Sequence, residues 1–488
     1  MTNPAPPRNP IRASPEATPA AAGGGAGIEA DSGQLTAGQQ NASTTPDPTP
    51  KGTFQLGGVS VTLGGFAEVD GIFRTRNEVA DVATNLNTGI PLPNSPRYHE
   101  SEFRGSARQS RLSLLIAGDV DARQKLAAYL ETDFLGASST ANSVESNSYN
   151  PRLRQAYATY DDSAWGLHVL GGQAWSLVVP HSVGITPRKE NIPLTIDAQF
   201  VPGFTWTRQP QLRVVKDFVD HKLWLGFSLE SPQATFNVGP NGTGSLAGTP
   251  NYQNPGGTFL DPSTHYSNDI APDIVAKIAW DPGFGHYEAF GLLRFLHDQV
   301  SRVGDGRNNT AVAGGVGGSV IVPIIGKMLE FHGNLLAGYG IGRYGTSQLP
   351  DATLSQSGAP VPLPEIQALA GLVAHPRREL DLYAYAGTEQ AGRRSFAEGG
   401  RSFGYGSPLY VNTGCSVELS ALPCQANTSG IVQGALGAWW RFLHGGYGTM
   451  EAGAQYSYTR RATFPGVGGS PGTDNNTVLV SFRYLPFQ

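Results

Sequence analysis

Hydrophobic and polar residues alternate with a period of two along most of the chain after residue 59. In the segment VTLGGFAEVDGIFRTR (residues 61–76), apolar and small side chains lie on one face, and Glu68, Asp70 and Arg74 lie on the other. The segment KLAAYLETDF (residues 125–134) repeats this pattern, with Glu131 and Asp133 on its polar face. Such alternation indicates β-strands with one face in an apolar environment. The chain is therefore predicted to be all-β.

The connections between the predicted strands alternate between short and long. Seven are short, among them GDVDAR (residues 118–123) and HPRR (residues 375–378). Eight are long and polar, and they lie near residues 77–104, 135–149, 176–203, 232–271, 297–309, 345–362, 390–429 and 462–474. Transmembrane β-barrels have this asymmetry, with short periplasmic turns and long extracellular loops. We therefore predict a sixteen-stranded antiparallel transmembrane β-barrel.

The last residues of the chain, NTVLVSFRYLPFQ (residues 476–488), form a predicted strand with aromatic residues near its tip. Val478, Val480, Phe482 and Tyr484 share one face of this strand. A barrel must pair its last strand with its first, because closure removes both unpaired edges. Aromatic residues gather at the membrane interfaces of such barrels. We therefore expect this strand to close the barrel, and no run of about 18 apolar residues offers a membrane-spanning helix instead.

The first 53 residues differ in composition from the rest of the chain. They are rich in Pro, Ala, Gly, Ser and Thr, and they carry too few apolar side chains to form a core. We predict a disordered extension at residues 1–53 and a barrel domain at residues 54–488. The extension also lacks the roughly 7–15-residue apolar segment of a signal peptide, so we expect the chain as printed to fail in export.

Composition and motifs argue against several classes of function. The net charge of −5 gives no basic excess to attract nucleic acid. The ten histidines show no H-x-H or H-E-x-x-H spacing, and with only two cysteines a metal site is not expected. The motif GIGRYG (residues 340–345) precedes a loop rather than a helix, so it does not predict a nucleotide site. We find no catalytic constellation or cofactor motif, and we predict that the protein is not an enzyme.

Two of the long loops carry specific features. The third, SLVVPHSVGITPRKENIPLTIDAQFVPG (residues 176–203), is unusually apolar and carries Glu190 and Asp197. A loop that folds into the barrel lumen has this composition because it packs on the wall, and a surface loop is the alternative. The seventh contains Cys415 and Cys424. In an oxidising compartment these would form a disulfide, and two free thiols are the alternative.

Arginines cluster along the early strands. On the lipid face each would cost roughly 2–4 kcal/mol at mid-depth, so we expect them to point inward or to lie at a rim. A ring of guanidinium groups at a constriction favours anions, above all carboxylates, which accept two parallel hydrogen bonds. The alternative is that the arginines balance acidic residues in a wall network. The candidate arginines are Arg111, Arg152, Arg154 and Arg213, and the candidate lumen-wall residues are Glu68, Asp70, Arg74, Tyr129, Glu131 and Asp133.

A set of short segments occurs in a fixed order from about residue 56 to the end: ARQSRLSL, LETDF, PRLRQAY, GGQAW, RQPQLR, GYGIGRYG and the terminal SFRYLPFQ. Together they resemble the DcaP-like trimeric outer-membrane porins of Gram-negative bacteria. The resemblance implies a sixteen-stranded barrel, three barrels per assembly, an inward-folded third loop and passive uptake of small, often negatively charged solutes such as dicarboxylates. By motif, it implies that the constriction arginines are Arg111, Arg152, Arg154 and Arg213, which face Glu190 and Asp197 of the third loop.

These features predict a passive porin of the cell outer membrane. Its expected partners are further copies of the chain in a homotrimer, outer-membrane lipid, lipopolysaccharide and small anionic solutes, with no cofactor and no nucleic acid. Two alternatives remain open. One is an outer-membrane barrel with a plugged lumen that acts as an enzyme or adhesin, and the other is a soluble, secreted all-β binding protein or hydrolase.

Overall fold

The computed structural model describes residues 51–136, 149–244, 248–255 and 265–488. Within these residues, sixteen strands form one closed antiparallel barrel, which confirms the predicted fold. In chain order the barrel strands are β1 (Val59–Arg74), β2 (Arg111–Asp119), β3 (Gln124–Gly136), β4 (Asn150–Asp162), β5 (Leu167–Trp175), β6 (Arg208–Phe218), β7 (Leu223–Glu230), β8 (Asp273–Trp280), β9 (His286–Arg302), β10 (Asp305–Ile325), β11 (Leu329–Tyr339), β12 (Pro364–Arg377), β13 (Leu380–Ala391), β14 (Thr428–Gly445), β15 (Gly448–Thr463) and β16 (Gly472–Leu485).

Shorter elements accompany the barrel strands. Thr53–Leu56 pairs with the start of β1, and Glu102–Ser106 pairs with its end. The predicted N-terminal extension lies outside the described residues as far as residue 50, as do parts of the predicted links at 135–149 and 232–271. No helix among the described residues is long and apolar enough to cross a membrane. The other short elements are the strands Thr249–Asn251, Gln253–Pro255, His265–Asp269, Ala352–Leu354, Pro360–Pro362, Arg394–Glu398 and Arg401–Tyr405 and the 3-10 helices Pro96–His99, Gly342–Tyr344 and Thr413–Ser416.

The first and last strands close the barrel. They pair from Ala67 opposite Tyr484 to Arg74 opposite Thr477. Closure leaves neither strand with an open edge, which matters in a bilayer because each unpaired backbone group there costs several kcal/mol. The expected role of the terminal strand is thereby confirmed.

The barrel wall is apolar outside and polar inside. On β16, Val480 and Phe482 are 52% and 42% exposed, whereas Ser481 and Arg483 between and beside them are 5% and 7% exposed. The same alternation runs along β1, whose acidic residues are buried while its neighbouring apolar residues face outward. A soluble β-sandwich has the opposite arrangement, because it packs its apolar faces together. An apolar outer band is the surface that the hydrocarbon of a membrane requires.

Seven short turns lie at one end of the barrel, which we call the turn end, and the opposite end is the loop end. One predicted long link is wrong. Residues 297–309 continue as strands, because β9 runs to Arg302, β10 begins at Asp305, and only Val303 and Gly304 connect them. Gly304 has a φ of +75°, which glycine adopts without strain. The polar residues that indicated a loop lie on a hairpin that extends past β11, where polar side chains suit both faces.

The third loop, residues 176–207, folds into the lumen as predicted. Its residues Val178, Ile185 and Ile196 are fully buried. The loop packs on the aromatic side chains of Tyr383 and Trp439, which project inward from β13 and β14. The apolar character that distinguished this loop in the sequence is therefore explained by its contact with the inner wall.

Two further loops lie against the third inside the barrel. Ala198 N donates a hydrogen bond to Val82 O of the first loop (residues 75–101) at 3.3 Å. Trp206 N donates one to Tyr344 O of the sixth loop (residues 340–363) at 3.1 Å. Val82 and Tyr344 are fully buried. The inward course of these two loops was not predicted, because their apolar residues are dispersed among glycines and polar residues.

Candidate channel constriction

A narrow cavity separates the third loop from the barrel wall. Its loop side is formed by Pro193, Leu194, Thr195, Ala198 and Phe200. Its wall side is formed by Phe66, Gln109, Arg111, Arg154, Asp381, Trp439, Arg441, Glu451 and Arg483. The space free of protein atoms there is about 580 Å³, and part of it is open to solvent. Inside the barrel, the third loop and the wall thus enclose a cavity that is lined by charged side chains.

Three arginines and two carboxylates alternate across β2, β3 and β4, and we call this set the arginine ladder: Arg111, Glu131, Arg154, Asp133 and Arg152. Arg154 lies at its centre, with Nε 2.5 Å from Glu131 Oε1 and Nη1 2.9 Å from Asp133 Oδ2. Arg152 Nη2 lies 2.7 Å from Asp133 Oδ2, and Arg111 Nη1 lies 3.9 Å from Glu131 Oε2. Since guanidinium groups occupy both ends, the ladder carries an excess of one positive charge.

Arg208, the first residue of β6, adds a fourth guanidinium group beside the arginine ladder. Its Cζ lies 4.5 Å from the centre of the Trp175 ring, and Arg154 Cζ lies 5.9 Å from the same ring. Among the described residues, Arg208 Nη1 is a buried donor without a hydrogen-bond acceptor. Such a donor is costly unless water or an anion accepts its hydrogen bond. Four guanidinium groups against two carboxylates leave an excess of two positive charges on this side.

A second set of alternating charges crosses β13, β14, β15, β16 and β1, and we call it the carboxylate ladder: Asp381, Arg441, Glu451, Arg483 and Glu68. Arg483 Nη1 lies 3.1 Å from Glu451 Oε1, and its Nη2 lies 2.9 Å from Glu68 Oε1. Arg441 Nη2 bonds Asp381 Oδ2, and its Nε lies 3.7 Å from Glu451 Oε2. Carboxylates occupy both ends, so this ladder carries an excess of one negative charge.

The two ladders meet at Phe66 on β1. Arg483 Cζ lies 4.2 Å and Arg111 Cζ lies 5.2 Å from the centre of the Phe66 ring. Arg483 Cζ also lies 4.3 Å from the ring of Trp439. Contacts of this kind contribute about 0.5–2 kcal/mol, and they restrict the plane of the guanidinium group. The aromatic rings therefore help to hold the arginines in place on the cavity wall.

The structure brings only part of the predicted constriction set together. Arg111 and Arg154 line the cavity, and Arg152 continues the arginine ladder with a third of its side chain exposed. Arg213 lies elsewhere on the wall, where its Nη2 donates to Trp175 O and its Nε donates to Gln211 Oε1 at 3.0 Å. Arg213 is 1% exposed and does not line the cavity. The four arginines therefore do not form one ring.

The two acidic residues predicted to face the arginines do not line the cavity either. Neither carboxylate oxygen of Glu190 makes a well-formed hydrogen bond among the described residues, and burial raises the pKa of this side chain. Asp197 Oδ1 accepts hydrogen bonds from Thr84 N at 3.1 Å and from Gln199 N at 2.9 Å. Burial also raises the pKa of Asp197. Asp197 thus fastens the first loop to the third rather than facing the arginine ladder.

All six predicted lumen-wall residues face the interior, and none is more than 4% exposed: Glu68, Asp70, Arg74, Tyr129, Glu131 and Asp133. Tyr129 Oη donates to Glu131 Oε2 at 3.0 Å. Arg74 Nη2 donates to Asp81 O of the first loop at 2.6 Å, and its Nη1 donates to Glu102 Oε1, at the start of the short strand Glu102–Ser106, at 3.2 Å. The alternative of a charge-balanced wall network is therefore also present in the structure.

Sequence analysis did not single out four cavity residues: Asp381, Arg441, Glu451 and Arg483. The signal for Arg483 was available, because it lies on the polar face of the last strand. The rule that directs Arg111 and Arg154 inward applies equally to the arginines of the late strands. Extending it to β14 and β16 would have found Arg441 and Arg483.

Two further predictions concern the two cysteines and metal binding. Cys415 and Cys424 are joined as a disulfide in the seventh loop, with Cα atoms 4.7 Å apart. Within the described ranges, no group of three or more His, Cys, Asp or Glu side chains is arranged to hold a metal ion.

Comparisons with known proteins give a likeness in fold. Comparisons with protein-family models and with curated proteins found no match. Among solved structures, the outer-membrane channel DcaP of Acinetobacter baumannii is 16% identical, with 88% of this chain and 99% of that chain covered and a TM-score of 0.60. Pseudomonas putida OprB is 10% identical, with 86% of this chain and 94% of that chain covered and a TM-score of 0.45. The chain therefore has the fold of the outer-membrane channel DcaP, which confirms the resemblance to the DcaP-like porins at the level of the fold.

Proposed function

We propose that the protein is an outer-membrane porin through which small hydrophilic solutes that carry a carboxylate, dicarboxylate-like anions among them, diffuse passively. The observation that carries the proposal is the cavity between the third loop and a wall that presents Arg111, Arg154, Arg441 and Arg483. The barrel fold, shared with an outer-membrane channel, supports the same function. We therefore assign the selective step to this cavity.

The chemistry of the arginine ladder supports a preference for carboxylates. A guanidinium group presents a planar fork of donors that matches the two oxygens of a carboxylate. The excess of two positive charges beside Arg111 and Arg154 attracts anions, and the low-dielectric walls of the cavity focus that field. The third loop limits the size of the solute, and the ladder selects its charge. Passive diffusion down a gradient requires no further chemistry from the protein.

We further propose that three copies of the chain assemble in the outer membrane of a Gram-negative cell, in contact with lipid and lipopolysaccharide. The apolar outer band supports a membrane position, and the trimer follows from the resemblance to trimeric porins. Native mass spectrometry of the detergent-solubilised protein tests the assembly. We expect a mass of three chains, and a purely monomeric species would contradict the trimer without touching the channel.

Reversal potentials in a salt gradient test the anion preference. We expect the wild-type channel to favour anions, and the double variant Arg152→Ala with Arg154→Ala to shift toward cations, because it removes two charges from the arginine ladder. The control is Arg307→Ala with Arg394→Ala, which removes two exposed arginines outside the cavity. An equal reversal potential for the wild type and the ladder variant would show that these arginines stabilise the barrel wall and do not set the ion selectivity.

A further inference from the structure

We infer that the cavity favours zwitterionic solutes, which carry a carboxylate at one end and an ammonium group at the other. The inference rests on the proposed function, because it ranks the carboxylate-bearing solutes that such a channel passes. It starts from the carboxylate ladder, which a preference for anions leaves unexplained. A wall selective for anions alone gains nothing from a ladder that carries an excess of negative charge.

The two parts of the cavity wall differ in the sign of their excess charge. Beside Arg111 and Arg154, four guanidinium groups face two carboxylates. Beside Arg441 and Arg483, two guanidinium groups face three carboxylates. His375 Nδ1 lies 2.6 Å from Asp381 Oδ1 and offsets one of these carboxylates only when the imidazole is protonated. With a neutral imidazole, the excess charge is positive on one part of the wall and negative on the other.

Each ladder has, within it or beside it, a charged side chain with a buried atom that lacks a hydrogen-bond partner among the described residues. The charge of that side chain has the same sign as the excess charge of its ladder. Behind the arginine ladder, Arg208 Nη1 is a buried donor without an acceptor among the described residues. Within the carboxylate ladder, Glu68 Oε2 is a buried acceptor without a well-formed hydrogen bond among the described residues. A buried charged group is costly unless an opposite charge compensates it. A carboxylate beside the first ladder and an ammonium group beside the second would supply the compensating charges.

The geometry of the cavity lets one solute meet both ladders. Arg111 and Arg483 both contact the ring of Phe66, so the ends of the two ladders are neighbours on the wall. Leu194 and Phe200 of the third loop oppose them and keep the passage narrow. A zwitterion that spans this point is attracted at both ends. The second carboxylate of a dicarboxylate would instead meet the excess negative charge of the carboxylate ladder and be repelled.

The test uses the purified full-length protein in proteoliposomes and four-carbon probes, of which the three charged ones differ only in their ends. Efflux of labelled 4-aminobutyrate, succinate and putrescine is measured at pH 7.5 and matched ionic strength, and neutral erythritol, which crosses lipid slowly on its own, reports the size of the pore. We expect 4-aminobutyrate to leave about threefold faster than succinate or putrescine, somewhat below the roughly tenfold effects of strongly charged clefts. Efflux of succinate at an equal or higher rate overturns the inference and leaves the channel proposal standing. Retention of all four probes overturns both.

Variants of the carboxylate ladder show whether its charge sets the ranking. Glu451→Gln with Glu68→Gln reverses the excess charge of this ladder from negative to positive, and we expect the 4-aminobutyrate to succinate efflux ratio to fall to unity or below. The control Asp305→Asn with Glu379→Gln removes two exposed carboxylates outside the cavity and should keep the ratio. Heat-modified gel mobility of the Gln double variant, compared with that of the wild type, separates loss of charge from misfolding. An unchanged ratio in the Gln double variant overturns the inference.

Discussion

The arginine ladder and the carboxylate ladder are built alike and end differently. Each alternates five charged side chains across neighbouring strands, but guanidinium groups terminate one and carboxylates terminate the other. Charges inside a ladder largely cancel, because each lies beside its opposite. Under the proposed function, the ions that the cavity attracts would depend on the terminal groups and on neighbours such as Arg208, whose Nη1 has no acceptor among the described residues. A count of inward-facing arginines alone would overstate the preference for anions.

The largest effect on stability is expected when an arginine is introduced on the lipid face of β16. Phe482 neighbours Arg483 but is 42% exposed on the apolar band, so Phe482→Arg places a charge in hydrocarbon. We expect the free energy of unfolding in lipid vesicles to fall by roughly 2–4 kcal/mol, less if the new side chain reaches the interface. Denaturant titration measures it, with Phe482→Leu as the control. Equal stability of the Arg and Leu variants would contradict the outward orientation of this face.

The next effect concerns the terminal group of the arginine ladder. Arg111→Ala removes one guanidinium end and leaves Glu131 paired with Arg154. We expect the anion to cation permeability ratio to fall by about threefold, somewhat below the roughly tenfold effects of strongly charged clefts. Reversal potentials measure the ratio, and Arg401→Ala, on an exposed loop residue, is the control. A ratio unchanged from the wild type would remove Arg111 from the selective step.

Neutralising a carboxylate of the carboxylate ladder should change the anion to cation permeability ratio in the opposite direction and by a smaller factor. Glu451→Gln leaves Arg483 with Glu68 and Arg441 with Asp381, so the excess negative charge of this ladder disappears. We expect the same permeability ratio to rise by less than about threefold. Glu379→Gln, an exposed change at the turn end, controls for net charge. A fall in the ratio would show that the two ladders do not act as opposites.

The smallest expected effect is a change in stability at a residue of the third loop that belongs to neither ladder. Burial raises the pKa of Glu190 above its ordinary value of 4.5, so its contribution to stability is full below that value and is lost as the pH rises through the folded-state pKa. We therefore expect Glu190→Gln to stabilise the barrel at pH 8 by only up to about 1 kcal/mol, because attraction to Arg188 and Arg213 offsets part of the cost of burying the charge. The gain should vanish near pH 4. Denaturant titration at both pH values checks this, and a variant less stable than the wild type at pH 8 would contradict it.

Much of the barrel follows from the sequence because lipid imposes a simple rule on each strand. Outward residues such as Val480 and Phe482 must be apolar, and inward ones such as Arg483 have no such constraint, so period-two alternation locates the strands. The rule fails at residues 297–309, where β9 and β10 extend past β11 and polar side chains no longer mark a loop. The strand count was unaffected, because the error changed only the length of one connection.

The cavity was less predictable than the wall. The inward direction of Arg111 and Arg154 follows from the cost of charge in lipid, but their partners depend on the register between β3 and β4. Glu190 and Asp197 belong to a loop whose course is set by contacts with other loops, such as the hydrogen bond from Thr84 N to Asp197. Sequence patterns describe one strand at a time, so the ladders, which cross several strands, became visible only in the folded barrel.

Planar-bilayer recording of the purified protein tests the central claim most directly. A barrel with a hydrated passage beside the third loop should give stable stepwise increases in current that scale linearly with voltage at low potentials. A plugged barrel that serves as an enzyme or adhesin would give none. The contradicting result is an absence of current from protein that inserts into the bilayer and whose heat-modified gel mobility shows that it is folded. That result would also remove the selective role of both ladders.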